Sequence, residues 1–451
     1  MMRRAANALD RTVDLLVIGG GVYGAWIAYD AALRGLSVIL VERTDWAAGT
    51  SSASSKLIHG GLRYLEYGHL GLVRKALVER RRLLRLAPHR VRALRFLLPV
   101  HRDARAGRIA LELGLSLYDL LAGELGGPHA HRSYGREALL ARCPFIERSG
   151  LVSGFSYSDA SEDDARYCLE LVDGAIGAGA AAVNACEALA LTSDSGGRVF
   201  GARVRDAITG SEHEIRAGIT VAAAGPWTQA LVTRDPRDFP VRLTKGVHLV
   251  MPPLPMPEAM LLTTRSDRRV FFLIPWYGAT LLGTTDTDVA PGTSETTVSA
   301  ADVDYLLRAV EERCPGLGWR RRHVRGSFAG VRTLRAEGSK SPSSVTREWS
   351  LESPRPGLLV PVGGKLTSAR VEAAATVARV QLALGRTQTG CPTAERPFPW
   401  APPGDFDTWE DTTVRAGVVL GMDEEVARAC ARRHGTTTSE VHALVRERPE
   451  L

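Results

Sequence analysis

The sequence predicts an α/β protein with two interleaved domains and a short helical tail. A short apolar run at residues 14–19 precedes a glycine-rich turn and a helical pattern, which is the order of elements in a nucleotide-binding βαβ unit. A second apolar run, at residues 357–362, also enters a glycine-rich turn and a long helical pattern. Alternating apolar residues between them indicate antiparallel strands. The length of 451 residues exceeds the size at which one hydrophobic core stops growing, so more than one domain is expected.

The first βαβ unit occupies the N-terminal region. Residues 14–19 are predicted to form a buried strand, and residues 37–42 to form the next strand. Three glycines with the spacing G-x-G-x-x-G open the intervening helix: Gly19, Gly21 and Gly24. Glycines let the backbone approach a pyrophosphate, and the helix N-terminus offers free N–H groups to it. Glu42 ends the second strand, where it can accept hydrogen bonds from a ribose diol. This pattern predicts a bound dinucleotide and leaves FAD and NAD undecided.

The central part of the chain mixes helices with antiparallel strands. Residues 163–190 predict a helix that leads into a strand. Residues 245–286 alternate apolar and polar side chains around a tyrosine-glycine turn, as antiparallel strands do. A helix is predicted over residues 299–313, because Ser299 and Asp302 have the spacing of a capping pair.

The second glycine-rich turn lies at residues 363–367, between an apolar strand and an alanine-rich helix. Such a junction directs a helix N-terminus at the group above it and stabilises negative charge there. Another tight turn between a strand and a helix would have a similar sequence. A proline-rich linker that begins at Cys391 then leads to a helical tail at residues 408–451.

Composition and charge restrict the classes of function. Apolar residues make up 45% and charged residues 24% of the chain, and the net charge is +7. This charge favours phosphorylated substrates, nucleic acid or an anionic membrane as partners. Much of the excess lies at residues 74–95, where arginines alternate with apolar residues at helical spacing. That segment predicts a solvated helix face, with membrane docking as the alternative. Nucleic-acid binding is not expected, because no known motif and no interleaved aromatic residues are present.

The cysteines and the N-terminus indicate a cytoplasmic protein. Six cysteines are scattered without a C-x-x-C pair, so we expect reduced thiols, no disulfide framework and no metal site. Arginines followed by apolar residues at the N-terminus resemble a signal peptide, but Asp10, Arg11 and Asp14 interrupt the pattern. No stretch offers the roughly 20 uninterrupted apolar residues of a transmembrane helix.

A specific family resemblance begins after the second strand. Residues 49–68 are dense in hydroxyl residues and glycines and contain Lys56, His59, Arg63 and Tyr64. This segment resembles the FAD-dependent glycerol-3-phosphate dehydrogenases, within the larger group of D-amino-acid-oxidase-like flavoproteins. Further hallmarks of that family recur in family order: AAAGPW at 222–227, KGVHLV at 245–250, IPWYG at 274–278, LLGTTD at 281–286, AGVRTL at 329–334 and VGGKLTSAR at 362–370. The resemblance covers about residues 12–385.

The resemblance implies a Rossmann-like FAD-binding domain interleaved with a mixed α+β substrate domain that carries an antiparallel sheet. The FAD-dependent oxidoreductase region spans residues 12–389, with FAD-binding parts at about 12–66, 151–227 and 345–389 and substrate-domain parts at about 67–150 and 228–344. Residues 390–451 form the linker and a shortened version of the family's helical C-terminal domain.

FAD is the cofactor that the resemblance implies. Thr50, Ser51 and Ser52 can give hydroxyl and amide donors to a phosphate or a flavin ring, although a capped surface turn would use the same residues. By resemblance, the adenine side of FAD meets Cys186, and the chain returns to the cofactor at Ala224 and Gly225. The remaining cofactor-binding residues predicted are those of the second glycine-rich turn: Gly364, Lys365, Leu366 and Thr367.

The resemblance also implies a reaction, the oxidation of sn-glycerol 3-phosphate to dihydroxyacetone phosphate by hydride transfer to the flavin. Arginine suits a phosphate because its charged planar fork binds two oxygens. By similarity, the phosphate and substrate cluster contains Arg63, Arg332, Arg347, Tyr64 and Lys365. His248 is predicted as the base or orienting group, and His59 is expected beside the flavin. A structural histidine remains the alternative for either residue.

The residues indicate the electron acceptor and the partners less directly than they indicate the reaction. Family membership implies a quinone-type acceptor, peripheral contact with the inner face of the cell membrane and a homodimer. The short tail leaves these three properties in doubt. Two alternatives keep the flavin and the catalytic groups: an oxidase that uses oxygen, and a dehydrogenase for another small hydroxylated substrate. A non-catalytic flavin-binding redox sensor is the alternative of another class.

Overall fold

The computed structural model describes residues 5–66, 68–104, 106–233, 236–290, 296–336 and 348–448. Over these ranges the chain builds one mainly parallel sheet, one mainly antiparallel sheet and a set of helices. The predicted α/β class, with two interleaved sheet domains and a helical C-terminal segment, is thereby confirmed.

The secondary-structure elements of the described ranges are numbered in chain order. The strands are β1 (Thr12–Ile18), β2 (Val38–Val41), β3 (Leu57–Ile58), β4 (Arg92–His101), β5 (Arg132–Gly135), β6 (Leu151–Ser161), β7 (Ala181–Val183), β8 (Cys186–Ser193), β9 (Val199–Asp206), β10 (Glu212–Ala222), β11 (Val241–Met251), β12 (Ala259–Thr263), β13 (Val270–Trp276), β14 (Ala279–Gly283), β15 (Thr287–Val289), β16 (Gly326–Arg335), β17 (Ser350–Arg355) and β18 (Leu358–Val362). The helices are α1 (Val22–Leu33), α2 (Leu70–Leu86), α3 (Arg108–Ala122), α4 (Arg136–Arg142), α5 (Asp164–Gly177), α6 (Thr228–Val232), α7 (Ala300–Arg313), α8 (Ala369–Ala383), α9 (Phe406–Val419), α10 (Glu424–His434) and α11 (Thr438–Glu447).

The first sheet has a parallel core in the order β18-β10-β1-β2-β7, and β17 lies antiparallel at its edge. Leu15, Leu16 and Val17 of β1 are fully buried, because helices and loops cover both faces of a parallel sheet. Helix α1 packs against both α5 and α8. The central strand β1 therefore ends inside the molecule, where the first glycine-rich turn begins.

The second sheet has the order β15-β11-β14-β13-β12-β4-β6-β3, with β16 beside β11 and β5 beside β6. Strands β11 and β16 pair from Val241 and Arg335 to Val250 and Gly326. Strands β13 and β14 form the predicted hairpin, and its turn residues Tyr277 and Gly278 have φ of 47° and 70°. Two positive φ values are the geometry that a two-residue hairpin turn requires.

The predicted helix before the proline at residue 315 is present as α7. Ser299 is its N-cap, and Ser299 and Asp302 exchange side-chain and backbone hydrogen bonds as the capping pair predicts. The helix ends at Arg313. The helix start therefore lies where the short sequence pattern predicts it, and Lys245 of β11 also donates to Asp302 at 2.7 Å.

The basic segment at residues 74–95 is not one solvated helix, and this part of the prediction is wrong. Helix α2 ends at Leu86 and strand β4 begins at Arg92, because Pro88 cannot continue a helix. Arg80 is only 1% exposed. Its guanidinium donates to Asp159 at 3.0 Å and to Glu124 at 2.7 Å. Part of the positive charge is therefore neutralised inside the protein.

The C-terminal helices pack back on the first domain. The Trp400 backbone N–H donates to Glu170 of α5 at 2.8 Å. The Arg90 guanidinium also donates to the Glu170 carboxylate at 2.9 Å and to the Arg433 carbonyl of α10 at 3.1 Å. Among the helices of the described ranges, none is both long enough and apolar enough to cross a membrane.

Candidate functional site

A cleft of about 990 Å³ lies between the two sheets. One end is formed by the turns that follow β1 and β2, and the other end by β11, β16 and the residues that follow β14. Ligands of doubly wound sheets bind outside the carboxyl ends of the strands. The volume reaches the upper end of the usual range for small-molecule sites, about 300–1,000 Å³. The cleft therefore has room for a dinucleotide and a small substrate.

The first glycine-rich turn fits a pyrophosphate. Gly19 has φ of +109°, and a Cβ there would lie 2.5 Å from the Ala223 carbonyl oxygen. Gly21 lines the cleft and is the N-cap of α1, and it offers no side chain to cap the helix. A Cβ on Gly24 would lie 1.8 Å from the Gly19 carbonyl oxygen, so Gly24 lets the helix pack against the turn. The first glycine-rich turn therefore presents backbone groups and the positive N-terminal end of α1 to the cleft.

The wall beyond this turn is built around Glu42. Its carboxylate accepts from the Gly20 N–H at 2.8 Å and from the Thr44 N–H at 3.0 Å, which fixes it at the edge of the cleft. The Cys186 N–H donates to the Glu42 carbonyl at 2.8 Å. Gly225 has φ of +54° and no atom within 4 Å of the position of a Cβ. Cys186, Ala224 and Gly225 all line the cleft. That Cys186 meets the adenine side of FAD, and that Ala224 and Gly225 approach the cofactor, stay predictions.

The hydroxyl residues at 50–52 form a short 3-10 turn with divided roles. Ser51 Oγ accepts from the Val22 N–H at 2.9 Å, at the start of α1. Thr50 Oγ1 donates to the Val331 carbonyl at 2.6 Å, which ties this turn to β16. Thr50 and Ser51 line the cleft, whereas Ser52 lies outside its lining and donates to the Gly49 carbonyl at 3.3 Å.

The second glycine-rich turn faces the same cleft. Gly363 and Gly364 have φ of +74° and +80°, and a Cβ on Gly364 would lie 1.7 Å from the Tyr23 hydroxyl oxygen. Only glycine fits there. The Thr367 hydroxyl oxygen accepts from the His59 backbone N–H at 3.1 Å. The 363–367 turn and the segment that carries His59 therefore form one continuous wall.

His248 is the buried polar group of the opposite end. It is 1% exposed, its Nε2 lies 2.9 Å from Ser55 Oγ, and its ring stacks on Phe328 with centroids 5.0 Å apart. Its Nδ1 is buried and has no hydrogen-bond partner among the described residues. Burial, and then the positive charges of Arg332 and Lys56, lower the pKa of His248 to about 3. The imidazole is therefore neutral near pH 7.

Glycines make room for both polar groups of this end. A Cβ on Gly283 would lie 2.4 Å from His248 Cδ2, and a Cβ on Gly246 would lie 2.3 Å from Arg332 Nη2. The Arg332 guanidinium donates to Thr284 Oγ1 at 3.2 Å and to Asp286 Oδ1 at 3.4 Å. His248 and Arg332 both line the cleft.

Three more predicted substrate residues, Arg63, Tyr64 and Lys365, line the same cleft. Lys365 Nζ lies 3.8 Å from the centre of the Tyr64 ring. Gly61, with φ of +81°, allows this approach, because a Cβ there would lie 3.2 Å from Lys365 Nζ. The predicted substrate residue Arg347 falls outside the described residues.

The structure thus brings most of the predicted site residues to one cleft. Those that line it are Gly19, Gly21, Glu42, Thr50, Ser51, His59, Arg63, Tyr64, Cys186, Ala224, Gly225, His248, Arg332, Gly364, Lys365, Leu366 and Thr367. The individual roles of these residues stay predictions. Among the lining residues that were not singled out from the sequence are Ser55, Arg269 and Asp286. Asp286 ends the LLGTTD motif, and Arg269 precedes an apolar run, so both had a signal in the sequence.

Metal-binding and disulfide chemistry find no support in the described ranges. No group of three or more His, Cys, Asp or Glu side chains there could hold a metal ion. The six cysteines are free thiols, and burial raises the pKa of Cys143 to about 12.

Comparisons with known proteins agree with this geometry. The DAO family of FAD-dependent oxidoreductases matches residues 14–363. An aerobic glycerol-3-phosphate dehydrogenase from Staphylococcus aureus is 35% identical over 446 residues, which cover 96% of this chain and 80% of that protein. The glycerol-3-phosphate dehydrogenase from Bacillus halodurans, solved in complex with FAD, superposes with a TM-score of 0.80 at 31% identity, covering 98% of this chain and 80% of that one.

A more distant structure shows the same fold. The L-α-glycerophosphate oxidase from Mycoplasma pneumoniae, with FAD bound, has a TM-score of 0.64 at 19% identity, covering 85% of this chain and 97% of that one. The matches confirm the choice of FAD that the glycine motif left open. The chain belongs to the DAO family of FAD-dependent oxidoreductases, among the glycerol-3-phosphate dehydrogenases, and FAD is its cofactor.

Proposed function

We propose that this protein oxidises sn-glycerol 3-phosphate to dihydroxyacetone phosphate and passes the electrons to a quinone-type acceptor. The observation that carries the proposal is that a buried neutral histidine, His248, lines the same cleft as three cations, Arg63, Arg332 and Lys365. The names of the Staphylococcus aureus and Bacillus halodurans relatives support the same substrate.

The cations suit a substrate with a phosphate handle. A phosphate monoester carries about −1.5 to −2 charges at neutral pH. Arg63, Arg332 and Lys365 line the cleft, and an arginine fork can donate to two phosphate oxygens together. A neutral alcohol such as glycerol would gain no ion pair from these cations. Charge therefore favours the phosphorylated substrate.

Oxidation of the alcohol removes a hydride from the carbon and a proton from the hydroxyl group. When bound, FAD supplies the hydride acceptor. His248 takes the proton or orients the hydroxyl group, Lys365 binds the substrate oxygen, and His59 lines the wall beside the flavin. A pKa of about 3 makes His248 a weak base in the free protein. A phosphate dianion bound to Arg332 offsets one of the two charges that depress this pKa, so substrate binding makes His248 more basic.

The direct test is anaerobic mixing of the purified flavoprotein with glycerol 3-phosphate. The flavin absorbance at about 450 nm is expected to bleach after mixing. Glycerol, a sugar alcohol and an amino acid serve as controls at the same concentration. If one of these bleaches the flavin while glycerol 3-phosphate does not, the substrate proposal is wrong.

The acceptor is tested by reoxidation. The reduced enzyme is mixed with air-saturated buffer or with a soluble quinone, and return of the flavin absorbance is followed by stopped flow. A faster reaction with the quinone supports a dehydrogenase, and a faster reaction with oxygen supports the oxidase alternative. The redox-sensor alternative predicts bound FAD that no small alcohol reduces.

Peripheral membrane contact fits helix α3 better than the basic segment at residues 74–95. Ile109, Leu113 and Leu120 are 78%, 67% and 60% exposed, and their spacing puts them on one face of α3. Arg108 begins the helix and is also exposed. An exposed apolar helix face beside a cation is typical of helices that lie in a membrane interface.

Sedimentation with phosphatidylglycerol vesicles tests this contact. Leu113→Asp should weaken sedimentation, whereas Val419→Asp, at an 87% exposed position of α9, should not. Equal sedimentation of both variants would exclude α3 as the helix that contacts the membrane. A homodimer stays a prediction.

A further inference from the structure

A buried charged cluster lies directly behind the second glycine-rich turn. Glu372 is in the first turn of α8 and is only 2% exposed. One of its carboxylate oxygens accepts from the Tyr23 hydroxyl, and the other accepts from Lys75 Nζ at 2.6 Å. Tyr23 belongs to α1 and Lys75 to α2. Three helices therefore meet at this one carboxylate.

The cluster contacts the wall of the cleft through Tyr23 and Gly364. The position of a Cβ on Gly364 is 1.7 Å from the Tyr23 hydroxyl oxygen and 2.7 Å from Glu372 Oε2. The backbone of Lys365 also hydrogen-bonds the Tyr23 hydroxyl. Burial, and then the neighbouring Glu372, raise the pKa of Tyr23 well above its ordinary value. The Tyr23 phenol consequently keeps its proton and donates a hydrogen bond to the Glu372 carboxylate.

We propose that Glu372, which contacts the 363–367 turn through Tyr23, is a residue whose carboxylate charge lowers the reduction potential of the FAD bound against that turn. This inference rests on the proposed function only in placing the flavin ring over that turn. It does not depend on the identity of the substrate or of the electron acceptor.

The charges on the two sides of the turn act in opposite directions. Two-electron reduction adds negative charge to the flavin, and the N-terminal end of α8 stabilises that charge. A carboxylate in the first turn of the same helix opposes the stabilisation. Lys75 offsets part of the carboxylate charge, and its own side chain is 37% exposed. Removing the carboxylate and removing the lysine should therefore move the potential in opposite directions.

The experiment measures the midpoint potential of the holoenzyme against reference dyes, without any alcohol substrate. Glu372→Gln is expected to raise the potential, so that the ratio of reduced to oxidised flavin at a fixed dye potential increases severalfold. Lys75→Met is expected to lower it by a smaller amount, because solvent screens the exposed lysine. Arg386→Met is the matched control: Arg386 follows the opposite end of α8, where it pairs with Asp14 at 2.5 Å, and its loss should leave the potential unchanged.

The sign of the changes separates an electrostatic role from a structural one. General loosening of the turn would shift the potentials of both variants in the same direction and would overturn the proposal. Unchanged potentials in both variants with full FAD content would also overturn it. If Glu372→Gln does not retain FAD, the half-exposed Lys75 position still gives the decisive measurement: a lowered potential supports the proposal, and an unchanged or raised potential contradicts it. Failure of glycerol 3-phosphate to bleach the flavin would refute the proposed function alone.

Discussion

Replacing Arg332 with alanine gives the most direct measure of how the cleft recognises its substrate. Arg332 lines the cleft, and its guanidinium donates to Thr284 at 3.2 Å and to Asp286 at 3.4 Å. A hydrogen bond between charged groups contributes about 1.5–3 kcal/mol. Two such bonds to a phosphate contribute about 3–6 kcal/mol, so kcat/KM for glycerol 3-phosphate should fall by roughly 10²–10⁴-fold. Loss of the guanidinium would also remove the positive charge beside the Asp286 carboxylate, which adds repulsion against the phosphate.

The assay is steady-state dye reduction over a range of glycerol 3-phosphate concentrations, with FAD content measured in parallel. Arg332→Lys should give an intermediate loss, because lysine keeps the charge but not the planar fork. Arg321→Ala is the matched control, since Arg321 is 61% exposed and pairs with Asp304 at 2.6 Å on the surface of the same domain. A KM for Arg332→Ala within about threefold of the parent value, with full FAD content, would remove the residue from the phosphate site.

Three further predictions concern stability and cofactor retention. The pKa of His248 is lowered to about 3 in the folded protein from about 6.5 in the unfolded chain. The contribution of His248 to stability is therefore fully present above about pH 6.5. As the pH falls below that value, the contribution is lost at about 1.4 kcal/mol per pH unit. His248→Asn should therefore show a shallower decrease in urea-unfolding free energy between pH 7 and pH 5, and parallel decreases would contradict this. Gly24→Val should prevent FAD retention, because a Cβ at this position would lie 1.8 Å from the Gly19 carbonyl oxygen. In the control Gly71→Ala, the added Cβ has no atom within 4 Å, so this variant should bind FAD normally in an absorbance assay. Lys56→Met should cost about 3–5 kcal/mol of unfolding free energy, because it leaves the buried Asp164 without its cation. The Lys56→Met, Asp164→Asn double variant should recover part of that loss in chemical denaturation, and a fully additive effect would argue against the pair.

Local patterns allowed much of the fold to be predicted. The G-x-G-x-x-G turn, the capping pair at the start of α7 and the tyrosine-glycine hairpin each depend on residues close together in the chain. Their backbone geometry is therefore readable from sequence. The basic segment at residues 74–95 was misread because helical spacing outweighed Pro88, and because the buried partners of Arg80 lie far along the chain.

The candidate site could be predicted in composition but not in contacts. Ser55 and His248 are 193 residues apart, and Arg332 and Asp286 are 46 apart. The tertiary fold brings them together, and their short local patterns do not show it. For the same reason, the depressed pKa of His248 could not be anticipated: it depends on burial and on two cations from other segments.

The ladder between β11 and β16 has a consequence for how this protein can vary. His248 and Arg332 sit on these paired strands, where His248 is opposite Phe328 and Arg332 is opposite Thr244. Side chains alternate between the two faces of a sheet, so a one-residue slip turns every following side chain away from its original face. Hairpin turns at the rim of this sheet can lengthen or shorten freely. A single inserted or deleted residue within either strand would instead remove the imidazole or the guanidinium from the cleft while leaving the glycine-rich turns of the other sheet intact.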